Sequence, residues 1–310
     1  MKDFFTALAI TSTLVITQAC ASQVKSGETP RSTTVSNVNS PASHNMSGSQ
    51  APKAEKNSHD GHNINNSQEE HSGHSKLESA NAIVKITLPA KITPKIPVPL
   101  AIDVTDKEGK AIANFDQFQE KLMHLIVVSD DLQSFNHIHP IYKGNGRFEV
   151  EANFPHPGSY SLFSDYKVAG KAEQVSVLKA EVPGNSPTAP KIDLATTKTF
   201  GNTKANLKLS QPTIKTGQEV HLIFNLQDAA SNQPLKDLKP YLGERGHLVI
   251  LKQSSPLTQA DYIHAHAMKN TPAAEVHFIT SFPKPGKYKM WGQFNRNERI
   301  ITADFWVDVQ

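Results

Sequence analysis

One cysteine, Cys20, stands in 310 residues. A chain with a single thiol builds no internal disulfide framework, no Cys-based zinc site, no iron–sulfur cluster and no Cys-ligated blue copper centre. Charge of either sign is barely in surplus: 32 Lys+Arg face 29 Asp+Glu, a net charge of +3. That is too thin for a nucleic-acid surface, which needs clustered Lys/Arg to displace phosphate counterions. Beyond the N-terminus there is no run of ~18 apolar residues, so nothing downstream reads as a membrane-spanning helix. Catalytic motifs are missing too: no nucleophile elbow, no His-Glu-x-x-His and no phosphate-cradling glycine loop. No Glu follows a His-x-His pair at the short spacing of a cupin site. The chain therefore reads as a binding protein and not an enzyme, with a three-His metal enzyme the remotest of the alternatives.

What is present begins with an address. Lys2 precedes the apolar run from Phe4 to Ile16, the pattern of an export signal over residues 1–19. Ala19-Cys20-Ala21 satisfies the small-x-small rule of an ordinary signal peptidase, which would give a freely secreted protein. Cleavage just before Cys20 would instead leave its thiol to carry lipid, and the position of the sole cysteine favours this lipidation. The expected location is extracytoplasmic, lipid-anchored to the cell envelope at the periplasm or the cell surface. Residues 20–80 contain no aromatic side chain and few large aliphatics, so they are expected to be a disordered tether. Its histidines, His44, His59, His62, His71 and His74, form a tract suited to weak metal capture.

From residue 81 the pattern changes to alternating strand signals with turn punctuation. Ile83–Ile86, Val98–Val104, Leu122–Val128, Phe148–Phe154, Tyr160–Phe163 and Gln174–Val182 read as strands, at a spacing that indicates an all-β sandwich. The same programme then runs again. Leu100-Ala101-Ile102-Asp103-Val104 answers to Leu222-Ile223-Phe224-Asn225-Leu226, and Met123-His124-Leu125 to Gly246-His247-Leu248. Phe135-Asn136-His137-Ile138-His139 answers to Tyr262-Ile263-His264-Ala265-His266. Phe154-Pro155-His156-Pro157-Gly158-Ser159-Tyr160 answers to Phe282-Pro283-Lys284-Pro285-Gly286-Lys287-Tyr288, where the tyrosine is placed to tie a corner of the sandwich. The expected layout is one sandwich repeat over 81–183, a linker and lead-in strand over 184–204, and a second repeat over 205–310.

Three histidines hold equivalent places in the two copies: His124 with His247, His137 with His264, and His139 with His266. An i, i+2 pair leaves one face of a strand with Cβ atoms roughly 6.5–7 Å apart. Two such imidazoles can converge on one ion, and a third from a neighbouring strand completes a three-nitrogen site. This predicts one site per repeat. Asp165 is expected to add an oxygen ligand or to orient a ring in the first, where the second repeat has Gln293. Met268 and Met290 are expected to offer soft thioethers that favour copper(I). Because imidazole binds metal only when neutral, retention should weaken below about pH 6. Structural roles for the same histidines, through hydrogen bonds to backbone, remain open. His156, His221 and His277 lack matching partners and read as surface polar residues.

The strings Leu122-Met123-His124-Leu125-Ile126-Val127-Val128-Ser129, His137-Ile138-His139-Pro140 and Phe154-Pro155-His156-Pro157-Gly158-Ser159-Tyr160 resemble a group of bacterial secreted proteins and lipoproteins. These are similar in general character to the YtkA-like and CopC-like β-sandwiches of the cell envelope. The resemblance covers most of 82–310 and implies tandem immunoglobulin-like sandwiches and, by association, copper or heavy-metal handling. It supplies no ligand set, and the second copy departs from the motif at Gly246, Ala267 and Gln293. The resulting expectation is an envelope carrier or buffer of a transition metal, copper first and zinc second, working with an envelope metal transporter or another envelope protein. A metal-free scaffold or adhesion module that binds a protein or glycan is the alternative.

Overall fold

The computed structural model describes residues 78–310. The expected export signal, Cys20, and the histidines of the expected tether, His44, His59, His62, His71 and His74, lie outside the described residues. Two tandem antiparallel β-sandwiches of immunoglobulin-like build account for the rest. The first is made of β1 (Ile83–Thr87), β2 (Val98–Thr105), β3 (Met123–Ser129), β4 (Phe135–Ile138), β5 (Ile141–Gly144), β6 (Arg147–Ala152), β7 (Gly158–Lys167) and β8 (Glu173–Val182). Its sheets run β1-β2-β6-β5 and β4-β3-β7-β8. The second comprises β9 (Thr197–Phe200), β10 (Thr203–Leu209), β11 (Glu219–Asp228), β12 (Leu238–Lys239), β13 (His247–Lys252), β14 (Tyr262–His266), β15 (Glu275–Ser281), β16 (Gly286–Arg296) and β17 (Arg299–Val309). Its sheets run β15-β11-β10-β9 and β12-β16-β13-β14, with β17 paired along β16. The lead-in segment thus supplies β9 as a partner of β10.

Period-2 alternation explains both cores. In β11, Val220, Leu222, Phe224 and Leu226 are fully buried, and the residues between them face outward. Leu100, Ile102 and Val104 of β2 meet Met123, Leu125 and Val127 of β3 around Phe148 and Phe154 in the first sandwich. Leu248 and Ile250 of β13 meet Phe224, Phe278, Met290 and Phe305 in the second. Each copy ties the same corner: the Tyr160 hydroxyl donates to the His156 carbonyl at 2.9 Å, and that of Tyr288 to the Lys284 carbonyl at 2.7 Å.

A third core lies between the repeats, and alternation alone did not announce it. The other face of β3 carries Ile126 and Val128, which pack with Leu132 and Phe163 against Val249, Leu251, Leu257, Trp291 and Trp306 of the second copy. Both central strands are consequently buried on both faces. The packing is a pseudo-two-fold one in which central contacts recur with the copies exchanged, as at an isologous dimer interface. Phe135 stacks on Trp291 with ring centroids 4.7 Å apart, and its counterpart Tyr262 stacks on Phe163 at 5.2 Å.

Candidate metal centre

The face of β3 that carries Ile126 and Val128 continues to His124, and the matching face of β13 continues from Val249 to His247. Both histidines therefore enter the layer between the repeats, where they are 0% and 1% exposed. Strand pairing adds two more: His137 lies opposite Ile126, and His264 lies opposite Val249. One end of the apolar interface is thereby a cluster of imidazoles drawn from both copies.

Its grouping differs from one site per repeat. His124, His137 and His247 each place a ligand nitrogen within 4.8 Å of the others, while His264 groups with Asp165 and Glu173. The cause is the facing of β3 and β13: His247 lies as close to the first repeat's rings as to its own, 4.5 Å from His137 and 4.4 Å from His264 by centroids. Asp165 and Gln293 occupy equivalent register positions, opposite His124 and His247. Each reaches across to the other copy: Gln293 Oε1 accepts from His137 Nδ1 at 2.7 Å, and Asp165 Oδ2 accepts from His264 Nδ1 at 3.0 Å. Asp165 therefore serves a histidine of the second repeat and none of its own.

His124 Nε2 donates to the Phe118 carbonyl at 3.3 Å, so in the neutral ring Nδ1 is the lone-pair nitrogen. It meets His137 Nε2 at 3.0 Å, and His137 Nδ1 in turn lies 2.7 Å from the side-chain amide of Gln293. Next to them, His247 Nδ1 and His139 Nε2 are buried without a partner. His139 lies just beyond the end of β4, with its ring 5.0 Å from His124 and 4.7 Å from His137. His266 lies 5.0 Å from His264, and its Nδ1 accepts from Gln119 Nε2 at 2.7 Å.

Two matched turns frame the cluster. Phe118–Lys121 and Tyr241–Glu244 each close with reciprocal backbone hydrogen bonds. Their central residues have positive φ: Gln119 at 45° and Glu120 at 63°, Leu242 at 57° and Gly243 at 78°. The left-handed pair of a tight hairpin turn favours glycine, yet only Gly243 supplies one. Gln119, Phe118 and Glu173 were not singled out from sequence. The turn in the first copy lacks its glycine signal, and Glu173 has no counterpart in a repeated motif. Met290, expected as a thioether donor, is fully buried in the core of the second sandwich. It lies three residues from Gln293 on the same strand, hence on the opposite face. Met268 lies past the end of β14, its amide donating to the His277 carbonyl at 2.7 Å. His277 pairs with Glu275 at 2.6 Å and His221 with Glu219 at 3.6 Å, both away from the cluster.

Burial sets the charge state. Desolvation, with the neighbouring His139 as the next cause, lowers His124 to about 3. Desolvation and then Lys121 lower His139 to about 4. Burial and the surrounding imidazoles push His137 and His247 well below the usual value. His264 moves the other way: burial lowers it, but hydrogen bonds and charge from Asp165 and Glu173 prevail and raise it to about 9. Burial raises Asp165. A cleft of about 600 Å³, lined by Glu120, Lys121, His137 and His139 on one side and by Tyr241 and Asn295 on the other, opens onto the rings.

The family described as Domain of unknown function (DUF8832) matches residues 78–182 and, a second time, residues 198–310. No curated protein matches the chain. Among solved structures, a mutant alpha-2-macroglobulin from Salmonella is similar at 11% identity over 75% of this chain and 15% of that one, with a TM-score of 0.26. Invasin, a bacterial integrin-binding protein, gives 11% identity over 72% and 39%, with a TM-score of 0.21. The D00-D0 domain of intimin gives 10% over 74% and 100%, also at 0.21. The chain spans well under half the length of the first two, and likenesses this weak carry nothing about function. Among the described residues no helix is long and apolar enough to cross a membrane.

Proposed function

The chain belongs to the DUF8832 family, and we propose that it binds one divalent transition-metal ion at a three-imidazole site shared between its repeats, as a carrier or buffer without turnover. The observation that supports this is the convergence of buried imidazoles from both repeats: His124 Nδ1 and His137 Nε2 lie 3.0 Å apart, and His247 places a nitrogen within 4.8 Å of both. Metal–nitrogen bonds of about 2.0–2.1 Å in a tetrahedral set separate ligand nitrogens by roughly 3.3 Å, so only small ring shifts are needed. His247 provides the third nitrogen from the other repeat, and the partnerless His139 is a reserve fourth ligand. Gln293 and the Phe118 carbonyl hold the far sides of their rings, as outer-shell groups do around metal-ligating histidines.

Neutral imidazoles without thiolate or thioether suit copper(II) or zinc(II), and the Irving–Williams order puts copper(II) ahead. With Met290 in the core of the second sandwich, one of the two expected thioethers is withdrawn from the cluster. The work belongs outside the cytoplasm, where the export signal directs the chain, and an envelope metal transporter is the expected partner. The test is a copper(II) titration of the full chain with His44, His59, His62, His71 and His74 changed to Asn. One tight ion should bind, and His137→Ala and His247→Ala should each abolish it. Two tight ions, one lost with each variant, would restore separate sites per repeat. No tight ion at all would leave the histidines as docking groups of a scaffold.

A further inference from the structure

We infer that Asp165, Glu173 and His264 form a second cation site, of mixed oxygen and nitrogen character, beside the three-imidazole site. This deepens the metal-binding reading and rests on it for context but not for its donors; the two donor sets touch where His264 Nε2 meets His247 Nε2 at 2.7 Å. Asp165 of β7 and Glu173 of β8 come from the first repeat and His264 of β14 from the second, and one donor atom of each lies within 4.8 Å of the other two. His264 Nδ1 faces Asp165 Oδ2 at 3.0 Å and Glu173 Oε1 at 3.4 Å. Asp165 is 0% exposed, and its Oδ1 is buried with no hydrogen-bond partner. A buried carboxylate oxygen left unsatisfied is costly, and a cation is the natural remedy.

Charge favours the same conclusion. Two carboxylates at one imidazole carry −2, so a divalent ion with neutral His264 leaves the cluster neutral. Tyr262 donates to Asp165 Oδ2 at 3.1 Å and so fixes the carboxylate plane, leaving Oδ1 free. Glu173 is 38% exposed in its side chain and leaves the site open to solvent on that side. One imidazole with two carboxylates suits zinc or a harder divalent ion better than copper.

Zinc(II) is the probe, in the same background without tether histidines, counted per chain by equilibrium dialysis. The His137→Ala variant, or His137→Gln should the first fold poorly, should keep one zinc ion. Adding the nearly isosteric Glu173→Gln should remove it. Loss of all zinc in His137→Ala, with one ion in the parent, would overturn the second site and leave the three-imidazole reading standing. Parent-level binding by Glu173→Gln alone would also overturn it. If Glu173→Gln abolished binding and His137→Ala did not alter it, the second site would stand and the three-imidazole reading would fall.

Discussion

Acidification of the metal-free protein tests the cluster without any ion present. A histidine that titrates near 6.5 when unfolded and near 3 when folded takes up its proton only by unfolding between those values, so stability falls as the pH drops through that window. His124 is such a group, lowered to about 3. Moving from pH 7.5 to pH 5 then costs about 2 kcal/mol from His124 alone, at 1.36 kcal/mol per unit of difference. His139, lowered to about 4, adds nearly as much, since it too is still neutral in the folded state at pH 5, and His137 and His247 act in the same direction. His264 opposes them. With a folded value near 9 it contributes stability that is fully present below 6.5 and lost as the pH rises through 9, which returns about 1 kcal/mol on acidification. A net loss of ~2 kcal/mol or more should lower the Tm by ~4–8 °C for a described region of this size. Calorimetry in the presence of a chelator at pH 7.5 and pH 5 reads it directly. A Tm that holds or rises on acidification would refute the buried, neutral cluster. The same depression would move proton competition for the proposed metal site well below the limit near 6 expected for ordinary histidines.

The interface between repeats should be energetically large. Trp291→Ala removes a ring that stacks on Phe135 and is 3% exposed, and it should cost ~3–5 kcal/mol in denaturant unfolding; a change below 1 kcal/mol would mean the repeats barely depend on each other. Tyr160→Phe and Tyr288→Phe each delete one corner hydrogen bond and should cost about 1 kcal/mol apiece. Because the two corners are in different sandwiches, the double variant should show the sum to within ~0.5 kcal/mol.

The strands, the duplication and the tyrosine corners were legible because alternation, turn residues and repeated strings are local signals. The shared interface was not read, although a trace of it was there. Met123-His124-Leu125-Ile126-Val127-Val128 and His247-Leu248-Val249-Ile250-Leu251 are continuous buried runs, where a strand with one wet face would alternate. Such runs imply cover on both faces, and the only cover available within the described chain is the other copy. Counting parity along β16 from Gln293 would likewise have put Met290 in the core and Trp291 at the interface. Glu173 and Gln119 left no such trace: they owe their places to tertiary packing, and neither belongs to a string the two copies share.

The pseudo-two-fold relation also explains how a duplicated pair of modules comes to hold two unlike side-chain clusters. In a symmetric pair, the residues at positions 165 and 293 would make identical reaches across the axis to the histidines at 264 and 137. Aspartate at one and glutamine at the other breaks that equality. Gln293 is neutral, and it leaves His137 a neutral ligand among imidazoles. Asp165 is anionic, and together with Glu173 it holds a proton on His264, which withdraws that ring from the neutral set. The three-imidazole group therefore takes two rings from the first repeat and one from the second, although each repeat carries all three histidines. A single exchange should shift this balance. Gln293→Asp would set a carboxylate against His137 and raise its titration, as Asp165 does for His264. Copper(II) affinity should then fall even at neutral pH, and recover as the pH is raised and the proton on His137 is lost.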